Sequence, residues 1–120
     1  MTVGPVRDGT WTPVCVAVNI PRGGAVAALV RGRPVAVFRD KDDEIYALGN
    51  RDPFDRTTVL ARGLVTERGG QPCVATAGTT THLIALRDGT CLDVEGARVP
   101  AYTVKVVDGL VHVGPRVEVG

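Results

Sequence analysis

The sequence has few aromatic residues, no long apolar run and almost no net charge. Aromatic residues make up only 4% of the chain, and single-stranded nucleic acids are bound mainly on aromatic stacking platforms. The net charge of +1 provides no long-range attraction to polyanions. No apolar run approaches the length of a membrane span, and the N-terminus lacks the basic and apolar regions of a signal peptide. We therefore expect a cytoplasmic protein with no nucleic-acid partner and no membrane contact.

The cysteines and histidines form no local metal-binding or catalytic motif. No C-x-x-C occurs, which excludes the common zinc and thioredoxin patterns. Cys15, Cys73 and Cys91 each lie in an apolar segment, where a buried free thiol behaves as a small hydrophobic side chain. A metal site would require these thiols to converge with His82, with no local pair to nucleate it. His82 and His112 are expected to be ordinary strand residues, and no residue set predicts an active site.

The apolar segments that are present are short and rich in β-branched residues, and turn signals separate them about every eight to twelve residues, as in sandwiches and barrels. The predicted strands are 12–18, 25–31, 34–39, 44–49, 71–76, 82–86, 90–92, 102–107 and 110–113. Asp108-Gly109 is a type I′ turn dipeptide, and Gly69-Gly70 also predicts a hairpin turn. Only 57–62 could form a short helical turn. The sequence therefore predicts a single all-β domain with a core of about 11–113 and short flexible ends.

Two segments, 50–68 and 76–81, have the least β character. Long connections in a small β domain tend to carry its function. In the first segment, Asn50 and Asp52 can close Asx turns on the backbone. Gly63 is expected to be a left-handed cap that ends a short turn.

Phe54 lies between these polar residues, and two placements are open for it. Its ring is expected to pack inward and fill space between the two loops. The alternative is an exposed aromatic residue that docks against a partner.

The order of these elements resembles the Rieske domain, in which two loops hold a [2Fe–2S] cluster through the motifs C-x-H and C-x-x-H. In this sequence Asp52 and Phe54 stand at the Cys and His positions of the first loop, and Thr76 and Thr79 stand at those of the second. Such a cluster needs two thiolates and two imidazoles, and none of these four side chains supplies either group. The resemblance implies a Rieske-like antiparallel β sandwich or barrel with two protruding loops, little helix and no cluster.

Four segments are similar to one branch of that family, the small subunit of NAD(P)H-dependent nitrite reductase. They are NRDPF at 50–54, VLARGLV at 59–65, DGTCLD at 88–93 and YTVKVVDGLV at 102–111. The resemblance implies a non-catalytic subunit without a cofactor of its own, which stabilises or tunes a large catalytic subunit. That large subunit would carry FAD, a [4Fe–4S] cluster and sirohaem, and would reduce nitrite to ammonium. The threonine run 79–81 departs from the family, because it is more polar and less bulky than expected.

The loop end of the domain is the candidate surface for docking to the large subunit. The candidate docking residues are Asn50, Arg51, Asp52, Pro53, Phe54, Asp55, Arg56, Thr79, Thr80, Thr81 and His82. Arginine at the rim of such a surface can pair carboxylates bidentately. The charges of this region nearly cancel, so a solvated mixed surface is the alternative. Two other functions stay open: an electron carrier of the Rieske ferredoxin type, and a free-standing β module that binds another protein.

Overall fold

The structure, a computed structural model, describes residues 11–117, which form nine strands and two short 3-10 turns. The strands are β1 (Thr12–Val16), β2 (Ala25–Val30), β3 (Arg33–Arg39), β4 (Ile45–Gly49), β5 (Leu64–Arg68), β6 (Gln71–Ala75), β7 (Leu83–Ala85), β8 (Ala101–Val107) and β9 (Leu110–Arg116). The 3-10 turns are Ala17–Asn19 and Leu60–Arg62. The helical segments among residues 11–117 are these three-residue turns, which cannot span a bilayer.

The strands form two antiparallel sheets. The larger sheet has six strands in the order β1-β9-β8-β4-β3-β2, and its edge strands β1 and β2 lie beside each other, so that it is nearly closed into a barrel. The smaller sheet has three strands in the order β5-β6-β7. The predicted all-β class is confirmed, and the two sheets, the larger of them nearly closed, agree with the predicted sandwich or barrel.

Strand β3 contributes to two hydrophobic cores, because its successive side chains point to opposite faces of the sheet. Val35 and Val37 are buried in the core inside the barrel, whereas Ala36 and Phe38 are buried in the core between the two sheets. The residues of β4 divide in the same way. A strand buried on both faces explains why this part of the sequence is a continuous apolar run.

The predicted hairpin turns are confirmed at the residues with positive φ. Asp108 and Gly109, which join β8 to β9, have φ values of 52° and 80°, as a type I′ turn requires. Gly69 and Gly70, which join β5 to β6, have φ values of 60° and 82°.

Several predicted strand bounds are wrong. The first strand ends at Val16, where a 3-10 turn begins, and 90–92 forms isolated bridges instead of a strand. Strand β5 lies inside the segment that was predicted to have little β character, and β9 continues to Arg116. The ends that were predicted to be flexible are mainly residues 1–10 and 118–120, and these lie outside the described residues.

Gly63 is not a left-handed cap, because its φ is −76°. A Cβ at this position would lie 2.6 Å from Val74 Cγ2 and even closer to the carbonyl oxygen of Ala75. Glycine is therefore required where the chain passes closely over β6, and the predicted reason for it is wrong.

Candidate functional site

The first loop leaves β4 at Asn50, and this residue holds both ends of the loop together. The Asn50 side-chain oxygen accepts a 2.8 Å hydrogen bond from the backbone N–H of Ala61, and its carbonyl accepts one of 2.9 Å from Leu60. The Asn50 N–H donates to the Pro34 carbonyl at 3.1 Å. Asn50 therefore closes the whole loop, and the local Asx turn predicted for it is wrong.

The Asx turn predicted at Asp52 is confirmed. Asp52 Oδ1 accepts hydrogen bonds from the backbone N–H groups of Phe54 at 2.8 Å and Asp55 at 3.2 Å. Asp52 is only 6% exposed, and its second oxygen, Oδ2, is buried without a hydrogen-bond partner among residues 11–117. This carboxyl group supports the loop from inside.

The second loop, 76–82, is closed at its two ends by Thr76 and His82. The Thr76 N–H donates to the His82 carbonyl at 2.8 Å, and the His82 N–H donates to the Thr76 hydroxyl oxygen at 2.9 Å. Thr76 is buried, which keeps this pair of hydrogen bonds away from water.

Direct contacts join the two loops at a surface that we call the loop junction, formed by Asp52, Phe54, Asp55, Gly78, Thr79 and His82. Asp55 Oδ2 accepts a 3.0 Å hydrogen bond from the Thr79 N–H, and its Oδ1 accepts bonds from the hydroxyl and the N–H of Thr57. These bonds, those from Thr57 first, hold the pKa of Asp55 at about 2. A Cβ on Gly78 would lie 2.8 Å from Asp55 Oδ2, so the loops could not approach as closely with a larger residue there.

The aromatic ring of Phe54 completes the junction. It stacks on the imidazole of His82, with 3.9 Å between the ring centroids and 31° between the ring planes. Phe54 stays 38% exposed, so the expectation that it packs inward is wrong. The ring covers His82 from outside and does not fill an internal cavity.

The residues at the four cluster-ligand positions do not fit a [2Fe–2S] cluster. The carboxyl group of Asp52 and the hydroxyl group of Thr76 bond to backbone groups of their own loops, and Thr79 bonds to Asp55. None of these side chains, nor the ring of Phe54, is a thiolate or an imidazole. The two loops are held together here by hydrogen bonds and by a stacked ring pair.

The other candidate docking residues divide by exposure. Arg51, Pro53, Arg56, Thr80 and Thr81 are exposed, whereas Asn50 and Asp52 are buried and hold the first loop in shape. Within residues 11–117, neither Arg51 nor Arg56 forms an ion pair. These arginines are available to an approaching partner.

Two arginines that sequence reasoning missed extend this cationic surface. Arg33 and Arg98 line the same groove as Arg51. The groove has a volume of about 450 Å³, and Pro53 and Tyr102 also line it. Among residues 11–117, no acidic side chain lines it. Arg33 and Arg98 come from distant parts of the chain, so no local pattern could have placed them together.

The three cysteines are free thiols, as expected. Cys73 and Cys91 are buried as predicted, whereas Cys15 is only half-buried. Burial raises the pKa of each thiol above its usual value. His82 is not simply a strand residue: it ends the second loop, and its side chain lies near Cys91 and Asp93.

The chain is similar to known proteins over most of its length. The family model of the Rieske-like [2Fe-2S] domain matches residues 10–114. The small subunit of NADH nitrite reductase from Salmonella typhimurium is 37% identical over 103 residues, which cover 85% of this chain and 94% of that protein. A crystal structure described as an NADH-dependent nitrite reductase small subunit from Mycobacterium tuberculosis is 38% identical and has a TM-score of 0.82, with 91% of this chain and 96% of that chain covered.

A third similar sequence is a segment of a longer protein. The large subunit of an NAD(P)H nitrite reductase from Klebsiella oxytoca is 38% identical over 104 residues, which cover 87% of this chain but only 11% of that protein. The chain therefore belongs to the Rieske-like domain family, in the branch of the small subunits of NADH nitrite reductase.

Proposed function

We propose that this chain is a non-catalytic small subunit of an assimilatory NAD(P)H-dependent nitrite reductase, and that it acts by contact with a large catalytic subunit in the cytoplasm. The large subunit would carry FAD, a [4Fe–4S] cluster and sirohaem and would reduce nitrite to ammonium. The observation that carries the proposal is the loop junction, where cluster ligands are replaced by side chains that join the loops directly. Side chains that join the loops in this way are not cluster ligands, and they support the proposal that the chain acts by contact.

The relatives support an association with the catalytic subunit. In the Klebsiella protein, the domain similar to this chain is part of the same polypeptide as the rest of the large subunit. A separate small chain would have to form the corresponding association through a non-covalent interface. We propose that it does so with the loop end of the domain.

The exposed residues of this end have the composition of an interface. Phe54 provides an aromatic group, and Arg51 and Arg56 provide cationic groups without intramolecular partners among residues 11–117. Aromatic residues and arginine are enriched in protein interfaces. Arg33, Arg51 and Arg98 line a groove to which no acidic side chain among residues 11–117 contributes, and this favours a partner surface rich in carboxylates.

The double variant Arg51→Ala/Arg56→Ala tests this docking surface. The large subunit is titrated with wild-type and variant chains at low and moderate salt, and both binding and nitrite-dependent NAD(P)H oxidation are measured. We expect weaker binding, mainly through a lower association rate, and a smaller dependence of affinity on salt. The free energy of unfolding should change by less than about 0.5 kcal/mol, because both side chains are exposed.

Arg68→Ala/Arg87→Ala is the matched control, since it removes the same charge. Arg68 ends β5 and Arg87 follows β7, so both exposed arginines lie at the end of the small sheet away from the two loops. The control variant should bind as the wild type does. Equal losses of affinity in both double variants would mean that binding depends only on net charge. Unchanged affinity in Arg51→Ala/Arg56→Ala would place the docking surface elsewhere.

A further inference from the structure

Three side chains with metal-binding atoms meet beside the loop junction. His82, Cys91 and Asp93, here called the His–Cys–Asp cluster, offer one donor atom each, and these atoms all lie within 4.8 Å of one another. Cys91 Sγ lies 3.0 Å from Asp93 Oδ1, and His82 Nδ1 lies 3.4 Å from Asp93 Oδ2. The residues come from two segments of the chain, so the cluster is not formed by neighbours within a single exposed turn.

The backbone holds these two segments in register. Cys91 forms an isolated bridge with Ile84, and the Leu92 N–H donates to the Leu83 carbonyl at 2.7 Å. The Leu83 N–H also donates to Asp93 Oδ1 at 3.3 Å, which orients the carboxyl group toward the cluster. Preorganised ligands on hydrogen-bonded backbone are the arrangement that a metal site needs.

The hydrogen bonds of the cluster are incomplete. His82 Nδ1 is buried, and it has no hydrogen-bond partner among residues 11–117, because its approach to Asp93 has ion-pair distance but not hydrogen-bond geometry. A buried nitrogen without a hydrogen-bond partner lowers the stability of the folded chain. The Cys91 thiol donates its single proton to Asp93, so it cannot satisfy the imidazole.

We propose that the His–Cys–Asp cluster binds one zinc ion through Cys91 Sγ, His82 Nδ1 and one oxygen of Asp93. Imidazole, thiolate and carboxylate are the ligands that zinc takes in proteins. A tetrahedral zinc ion with ordinary bond lengths places its ligand atoms about 3.3–3.6 Å apart. The close approaches to Cys91 and His82 use different oxygens of Asp93, so the three ligand atoms, which lie within 4.8 Å of one another, would draw together by up to about 1 Å on binding.

Binding replaces the thiol proton of Cys91, which goes to solvent, and gives His82 Nδ1 a partner. Three protein ligands leave the fourth position for water or for a group of a partner protein. The Asp93 side chain is 32% exposed, which gives the ion a path from solvent, whereas Cys91 is buried. The bound ion would fix the imidazole on which Phe54 stacks and so would brace the loop junction.

The test is titration of the full chain with zinc, and with cobalt as a spectroscopic substitute. We expect one ion per chain, a thiolate-to-cobalt charge-transfer band, visible bands of tetrahedral intensity, and a higher melting temperature with zinc. Cys91→Ser and Asp93→Asn should each weaken zinc binding by more than the roughly 10–100-fold cost of losing an outer-shell partner. Asp93 is exposed, so Asp93→Asn keeps the test valid if Cys91→Ser does not fold.

Cys15→Ser/His112→Gln is the matched control, because it removes a thiol and an imidazole that are not in the cluster. Its zinc affinity should equal that of the wild type. Absence of binding, a cobalt spectrum without the charge-transfer band, or wild-type affinity in Asp93→Asn would overturn the proposal. Since the titration needs no large subunit, its result is independent of whether the chain belongs to a nitrite reductase complex.

Discussion

Replacing Phe54 with alanine measures how much the loop junction contributes to stability. The ring is 38% exposed. Its partial burial therefore contributes about three-fifths of the 1.5–3 kcal/mol expected for a fully buried side chain, or about 1–2 kcal/mol. The stack on His82 adds roughly 0.5–1.5 kcal/mol. We therefore expect Phe54→Ala to lower the free energy of unfolding by about 2–3 kcal/mol in chemical denaturation of the isolated chain.

Leu29→Ala is the control, because Leu29 is an apolar residue that is 72% exposed in β2; its effect should stay below about 0.5 kcal/mol. A double-mutant cycle of Phe54→Ala with His82→Ala should give a coupling energy of about 0.5–1.5 kcal/mol. A loss of more than about 3 kcal/mol in Phe54→Ala would indicate a fully buried ring. A loss as small as the control's, or no coupling to His82, would refute the described junction.

Two further perturbations test neighbouring features. Gly63→Ala should lower the free energy of unfolding by about 1–3 kcal/mol, because its Cβ would clash with Ala75 in β6. Gly109→Ala, whose Cβ would lie in open space, should cost the roughly 1–2 kcal/mol of a left-handed residue without a clash. Denaturant unfolding measures both, and a loss below about 0.5 kcal/mol for Gly63→Ala would contradict the close approach to β6. The carboxyl group of Asp55 should titrate by NMR with a pKa of about 2, and Thr57→Val should raise that pKa toward 3.8. Because folding lowers this pKa, the stabilisation is present above about pH 4 and is lost as the pH falls through about 2; an unchanged pKa in Thr57→Val would show that the hydroxyl does not hold the carboxylate.

Local signals in the sequence predicted the parts of the fold that local chemistry determines. Asp108-Gly109 and Gly69-Gly70 have the residues that positive φ requires, and both turns are where they were expected. The substitutions at the cluster-ligand positions could also be read directly, since a thiolate and an imidazole have no substitute among Asp, Phe and Thr.

Features that depend on distant segments could not be predicted in this way. Strand β5 has only Val65 half-buried among exposed residues, so its pattern resembles a polar loop until β6 is beside it. The need for glycine at Gly63 arises from β6 in the same way. The bond from Thr79 to Asp55 joins residues 24 positions apart, and no spacing rule connects them.

The proposed function requires that the chain act by contact, without a redox centre of its own. To test this, the chain is purified from iron-replete cells, and its iron and acid-labile sulfide are determined. The same preparation is then titrated into the large subunit while nitrite-dependent NAD(P)H oxidation is followed. We expect a colourless chain without stoichiometric iron that binds the large subunit and changes its stability or its rate of turnover. About two irons per chain with Rieske-type absorption, or a large subunit that neither binds the chain nor responds to it, would show that the proposed function is wrong.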